Sequence, residues 1–181
     1  MTIAVTDNII LELLDSWHAS ETFALIDSNR QYLREWLPWV DHMRTAADFK
    51  NYIQRTQQQA KDETDYGFVV KFNGKIAGRI GLHYIDRQNK TGALGYWLGE
   101  SFAGNGIITK ACAVLINFAF DKLQLNRVEI KCATGNTKSK AIAERLGFKQ
   151  EGILKQAEFV NTHFIDLYLY SMLKTDWQQQ G

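Results

Sequence analysis

The chain has 181 residues, 45% hydrophobic and 12% aromatic, which is enough apolar material for one sizeable core and favours a single domain. Its 21 basic and 20 acidic side chains leave a formal charge of +1, so no global field draws it to nucleic acid or to a membrane surface, and the expected partner is small or locally charged. No apolar run approaches the ~18 to 20 residues of a membrane span, and the N-terminus lacks a basic-then-apolar signal pattern, so a cytoplasmic protein without membrane contact is expected.

Ile9 to Leu14 is apolar enough for a buried strand, and residues 18 to 36 then show helical spacing through Phe23, Ile26 and Leu33. The only proline, Pro38, closes the unit Trp36-Leu37-Pro38-Trp39, because proline disfavours helix in the residue before it. The two flanking tryptophans either wall a substrate groove or pack on the sheet. Thr45 with Asp48 is a capping signal, and Phe49, Tyr52, Ile53, Thr56 and Ala60 follow at helical spacing. From Tyr66 the period changes to that of strands: Phe68 to Phe72, an Asn73-Gly74 hairpin turn, Ile76 to Ile85, and about Ala93 to Leu98.

An apolar helix face at Ala111, Val114, Leu115, Phe118 and Ala119 precedes a strand in which Val128, Ile130 and Cys132 alternate with charged residues. Strand, helix, strand implies a crossover. Ser139 to Leu146 reads as a short helix stopped by Gly147, followed by strands at Phe148 to Glu158 and Phe164 to Met172. The Gln178-Gln179-Gln180 tail reads as disordered. The two cysteines, Cys112 and Cys132, fall in helix and strand patterns and read as small buried hydrophobes. His83 and His163 have no partner at metal-ligand or triad spacing and read as structural.

The stretch Gly92 to Lys110 joins the third of these strands to the apolar helix through Phe102-Ala103-Gly104-Asn105-Gly106-Ile107-Ile108-Thr109. Gly104 and Gly106 permit positive φ and close approach of a ligand, and a helix starting near Ile107 adds unpaired N–H groups and the positive end of its dipole. Together these suit a pyrophosphate. The alternative is a simple turn between strand and helix. The loop lacks the Lys-Ser/Thr pair of a nucleoside-triphosphate P-loop, and no G-x-G-x-x-G run is present because Thr109 stands at the third glycine.

Three segments carry a resemblance: Gly95-Tyr96-Trp97-Leu98, the glycine loop, and Asn136-Thr137-Lys138-Ser139 with Arg145-Leu146-Gly147-Phe148. The chain resembles the GNAT superfamily of acetyl-CoA-dependent N-acetyltransferases, within it the ribosomal-protein-serine/alanine branch, over about residues 9 to 174. The resemblance implies an α/β (α+β) fold: a mixed, mostly antiparallel twisted sheet of about seven strands flanked by helices, with a V-shaped splay at the acetyl-CoA site. The superfamily loop usually begins with Gln or Arg and ends on Gly or Ala; Ala103 and Ile108 depart from it, while the central Gly106 is kept.

By resemblance, the main chain of Tyr96, Trp97 and Leu98 pairs with pantetheine and points an N–H at the thioester oxygen; the other reading is an ordinary strand with a buried Trp97. Residues 103 to 109 (Ala103, Gly104, Asn105, Gly106, Ile107, Ile108 and Thr109) hold the diphosphate, and Asn136 bonds pantetheine or serves as a turn or N-cap residue. An acetyl thioester is already activated, so transfer to an amine calls for a base and an acid but neither metal nor covalent nucleophile. The glutamate base that many members carry on the strand before the loop is absent, since Ala93, Leu94, Gly95 and Tyr96 stand there. The branch instead carries its base in a segment matched by Lys155-Gln156-Ala157-Glu158-Phe159-Val160-Asn161, which makes Glu158 the candidate base and Ser139 the candidate acid. A serine there is equally a helix cap or a coenzyme contact.

A free α-amine has a pKa of ~7.7 to 8.0 against ~10.4 for lysine, which suits a modest base such as Glu158 and favours an N-terminal acceptor. Lys138, Lys140, Arg145 and Lys149 either reach the coenzyme phosphates or form a solvated helix face. The implied partners are acetyl-CoA and the N-terminus of a ribosomal protein, with a homodimer common in the branch. A small amine such as a polyamine or an aminoglycoside, and a non-catalytic acyl-CoA-binding regulator, are the competing readings.

Overall fold

The computed structural model describes residues 1–179. Eight strands form one sheet in the order β1-β2-β3-β4-β5-β6-β8-β7. These are β1 (Thr2–Thr6), β2 (Ile9–Leu13), β3 (Tyr66–Phe72), β4 (Lys75–Asp86), β5 (Thr91–Leu98), β6 (Arg127–Ala133), β7 (Lys149–Val160) and β8 (His163–Leu173). Every pairing is antiparallel except β5 with β6. The strand absent from the sequence expectation is β1, a five-residue run that pairs with β2 and turns Ile3 and Val5 onto the core while Thr2 and Ala4 stay exposed.

The hairpin at Asn73-Gly74 forms as its residue types dictate, with φ of 50° and 78° in the mirror-image turn that matches strand twist. The helical region expected over 18–36 is present as two helices, α1 (Ala19–Ser28) and α2 (Arg30–Arg34). The break is at Asn29, whose side chain donates to the Leu25 carbonyl at 2.9 Å and accepts the Glu100 N–H at 2.8 Å, a local competition with the helical ladder. Helix α3 (Ala46–Lys61) starts with the expected capping box, Thr45 and Asp48 exchanging side-chain bonds with each other's backbone N–H. Helix α4 (Ile107–Asn117) is the crossover from β5 to β6, α5 (Thr137–Arg145) follows β6, and α6 (Lys174–Gln178) ends the described chain. Of the tail expected to be disordered, Gln178 therefore closes a helix and Gln179 follows it, while Gln180 lies outside the described residues.

The central strands of the sheet are buried on both faces. On one, Ile80, Leu82, Leu94, Val128 and Ile130 meet Ile107, Ala111 and Leu115 of α4; on the other, Val69 and Trp97 meet Ile26 of α1 and Phe49 and Ile53 of α3. At ~25 cal/mol per Å² of apolar surface removed from water, these two layers supply the main driving force for folding.

Arg127 on β6 clamps the far side of the sheet. It donates to Glu151 at 2.7 and 2.6 Å and to Glu129 at 2.9 Å, and Glu151 also accepts the Ser171 hydroxyl at 2.7 Å. The guanidinium, then the hydroxyl, hold the Glu151 carboxyl at about 2, below its ordinary 4.5. A lowered carboxyl stabilises the fold fully above 4.5 and loses that contribution as pH falls through about 2. Because Glu151 is well exposed to solvent, Glu151→Gln is expected to cost no more than about 1 kcal/mol near neutrality. Urea unfolding of both proteins should show that difference vanishing towards the acid end of the range.

Candidate functional site

The site is made where two strands part. β5 and β6 pair in parallel from Thr91/Arg127 to Leu94/Ile130, yet β5 runs on to Leu98 and β6 to Ala133. Beyond Leu94 the facing edge of β5 is therefore turned into an opening. On its other side β5 lies so close to β4 that a Cβ built at Gly78 would stand 2.1 Å from the Trp97 carbonyl oxygen; glycine is required there for the sheet to hold β5 in place while its opposite edge is free.

The opening continues into a cleft of ≈ 920 Å³. Its walls include Tyr96, Trp97 and Leu98 of β5; Ala103, Gly104, Gly106, Ile107, Ile108 and Thr109 of the loop and the first turn of α4; and Asn136 and Ser139 at the start of α5. These are the residues that the sequence marked out, brought together from three segments. Asn105 is not among the walls: its amide donates to the carbonyls of Phe102 at 3.1 Å and Ala103 at 3.4 Å, bracing the loop from behind.

Gly106 has φ of 68° and precedes α4, and no atom lies within 4 Å of a Cβ built there or at Gly104. The first helical bond runs from Lys110 N–H to the Gly106 carbonyl at 3.1 Å, so the N–H groups of Ile107, Ile108 and Thr109 precede the ladder. An anion fits this cradle through main-chain donors and the helix dipole.

At the other wall, Asn136 caps α5 by accepting the Ser139 N–H at 3.0 Å. Asn136 is therefore the N-cap, with its amide N–H groups left over, and Ser139 is not the cap. Ser139 Oγ instead lies 3.1 Å from the Tyr96 hydroxyl. Lys138 and Arg145 line the cleft, whereas Lys140 and Lys149 turn to Glu144 at 3.6 Å and Asp176 at 2.8 Å, so the basic cluster divides.

Glu158 stands on β7 just past a bulge. Leu154 opposes Leu167 and Glu158 opposes Ile165, leaving Lys155, Gln156 and Ala157 across from Asp166 alone, with Gln156 at φ 49°. Asp166 accepts Lys155 Nζ and the Gln156 N–H, both at 2.8 Å. Such a bulge re-aims the residue that follows it. Glu158 is half-buried, and burial pushes its carboxyl above the ordinary value. It does not line the cleft itself; beyond it, Asn161 donates to the Arg34 carbonyl at 3.1 Å, which ties the hairpin tip to α2.

The tryptophan pair also divides. Trp36 lines the cleft, whereas Trp39 packs on Trp97 with ring centroids 6.0 Å apart. Tyr32, which sequence reading missed, lines the cleft on the same side; the signal was its i, i+4 spacing to Trp36. His83, read as structural, has Nδ1 2.6 Å from Asp65 Oδ2, a link between β4 and the residue before β3 that holds two neighbouring strands together. Among the described residues no group of three or more metal-ligating side chains is gathered, and no helix is long and apolar enough to cross a membrane.

Residues 8–149 match the family model described as an acetyltransferase (GNAT) domain. The chain belongs to the GNAT acetyltransferase family. It is an N-acetyltransferase whose donor is acetyl-CoA, and the cradle at Gly104 and Gly106 and the free edge of β5 fit that co-substrate.

Two relatives extend along nearly the whole GNAT chain. YdaF of Bacillus subtilis (strain 168), provisionally named as a ribosomal N-acetyltransferase, is 37% identical over 98% of this chain and 97% of its own. The ribosomal-protein-serine acetyltransferase of Escherichia coli (strain K12) is 33% identical over 95% and 96%. Among solved structures, the microcin C7 self-immunity acetyltransferase MccE in complex with acetyl-CoA and AMP superposes with a TM-score of 0.91 at 34% identity, covering 94% of this chain and 95% of that one.

Proposed function

We propose that this enzyme acetylates the α-amine of a protein N-terminus, a serine or alanine of a ribosomal protein, in the cytoplasm. The carrying observation is the end-to-end likeness to relatives named for ribosomal substrates, joined to a cleft in which Ser139 faces the opening beside β5.

In this reading the amine nitrogen attacks the thioester carbon. The C–N bond forms and the C–S bond breaks, with its electron pair going to sulfur. Glu158, whose carboxyl is lifted by burial, takes a proton from the nitrogen directly or through one water. The Ser139 hydroxyl delivers its hydrogen to sulfur and is replenished from solvent. The N–H groups at the start of α4 hold the diphosphate, and the exposed main chain of β5 orients the pantetheine arm and the carbonyl.

Mass spectrometry of ribosomal-protein N-termini from cells with and without the protein tests the acceptor. Loss of acetyl groups from particular Ser or Ala termini is expected, and unchanged termini would overturn this acceptor. A parallel assay of thiol release with polyamines covers the small-amine reading.

A further inference from the structure

Ser139 sits at the start of α5, across the splay from β5, and one side chain of β5 reaches over to it. The Tyr96 phenolic oxygen lies 3.1 Å from Ser139 Oγ and 3.3 Å from the Ser139 carbonyl oxygen. A phenol has a single hydrogen to give. The Ser139 carbonyl already serves the N–H four residues on in the α5 ladder and lies at the longer of the two distances, so Oγ is the nearer and less occupied acceptor.

Burial pushes the Tyr96 phenol far above its ordinary value, with buried Cys112 acting in the same direction, so it remains a donor at every working pH. Cys132, the other neighbour of the Ser139 hydroxyl, is held as a neutral thiol by burial although a hydrogen bond from Ser139 pulls the other way, and a neutral thiol is a weak acceptor that competes poorly with a coenzyme thiolate. The Ser139 main chain is held independently by Asn136. With its backbone anchored and one lone pair taken by the phenol, the hydroxyl has its own hydrogen left for the cleft.

We propose that Tyr96 is a positioning residue that orients the Ser139 hydroxyl as a donor towards the sulfur of the coenzyme, so that β5 contributes to departure of the leaving group through a side chain as well as through its main chain. This rests on the reading of Ser139 as the group that protonates the thiolate. If the phenol gave its hydrogen to the Ser139 carbonyl instead, the serine hydroxyl would turn towards Tyr96 and be withheld from sulfur. The two arrangements predict opposite effects for Tyr96→Phe.

The test uses coenzyme A itself as probe, so that it does not depend on the acceptor. Bound coenzyme A is titrated by the ultraviolet absorbance of its thiolate in the wild type, Tyr96→Phe, Ser139→Ala and the double variant. The wild-type bound thiol is expected to ionise at lower pH than free coenzyme A. Tyr96→Phe should raise that midpoint by roughly half to one pH unit, and should raise it no further in the Ser139→Ala background, the non-additivity expected of a residue acting through another.

With any acceptor that turns over, kcat should fall about five- to tenfold in Tyr96→Phe while KM for acetyl-CoA stays within about twofold. Replacing Tyr96 by 3-fluorotyrosine, which keeps ring and hydroxyl, should restore the wild-type midpoint and guards against a packing defect in the phenylalanine variant. A Tyr96→Phe midpoint that is unchanged or lower, or that rises equally without Ser139, overturns the proposal. A midpoint insensitive to Ser139→Ala removes Ser139 from the mechanism whatever Tyr96 does.

Discussion

Replacing Gly106 with valine is expected to abolish acetyl-CoA binding while leaving a folded protein. Gly106 adopts φ of 68° immediately before α4, a left-handed conformation that costs an L-residue roughly 1–2 kcal/mol and a β-branched one more. That strain lowers the melting temperature by several degrees, since ~1 kcal/mol shifts a domain of this size by about 2–4 °C or slightly more. The larger effect falls on the ligand. Nothing of the protein lies within 4 Å of a Cβ at this position, so the valine methyls would occupy the space that the cradle keeps for an anion. Charge-assisted bonds to the main chain contribute about 1.5–3 kcal/mol each, and losing two weakens affinity by at least about a hundredfold. Calorimetric titration with acetyl-CoA, paired with a thermal melt, separates the two effects. Wild-type affinity in a folded Gly106→Val protein would place the diphosphate elsewhere.

Glu158→Gln should spare coenzyme affinity and lower turnover, by an amount that depends on pH. A positioned base is worth about 10²- to 10⁴-fold, but an α-amine with a pKa of ~7.7 to 8.0 is already about one-tenth neutral at pH 7. The acceptor therefore supplies part of what the base would do, and a loss of about ten- to a hundredfold at neutrality is expected, shrinking as pH rises towards the amine's own pKa. The wild type carries a second signature. Glu158 must be ionised to accept a proton, and burial raises its carboxyl above 4.5, so activity should fall as pH drops through that raised value. Removal of the carboxyl removes this limb. Rates with a Ser-initiated peptide between about pH 5 and 9 decide the matter, and identical profiles for the two proteins would take Glu158 out of the reaction.

Legibility in the sequence followed the range of the interactions involved. Asn73-Gly74, the Thr45/Asp48 box and the glycine before α4 were readable because each is a contract between residues a few positions apart, and the structure contains all three. The break at Asn29 was only half legible, because its side chain joins a local bond to the Leu25 carbonyl with one from the Glu100 N–H, seventy-one residues away. β1 stayed hidden for a related reason: Ile3 and Val5 alternate with Thr2 and Ala4, but over only five residues, too short a run to stand out without the pairing to β2. At the site, the residue types on the walls were legible through the glycine loop and the two motifs beside it. The partner of Ser139 was not, since nothing local distinguishes a tyrosine forty-three residues earlier as the one that reaches it.

What the chain determined by itself was the alternation of strands and helices, the apolar faces, and a loop that only glycine can turn at the mouth of a helix, all consequences of backbone sterics and short-range periodicity. Tertiary structure decided where β5 stops pairing with β6, which half of a basic cluster faces the cleft, which tryptophan packs on Trp97, and which hydroxyl Tyr96 meets. Those outcomes depend on how surfaces distant in sequence come together, and packing energy, unlike propensity, is a property of pairs.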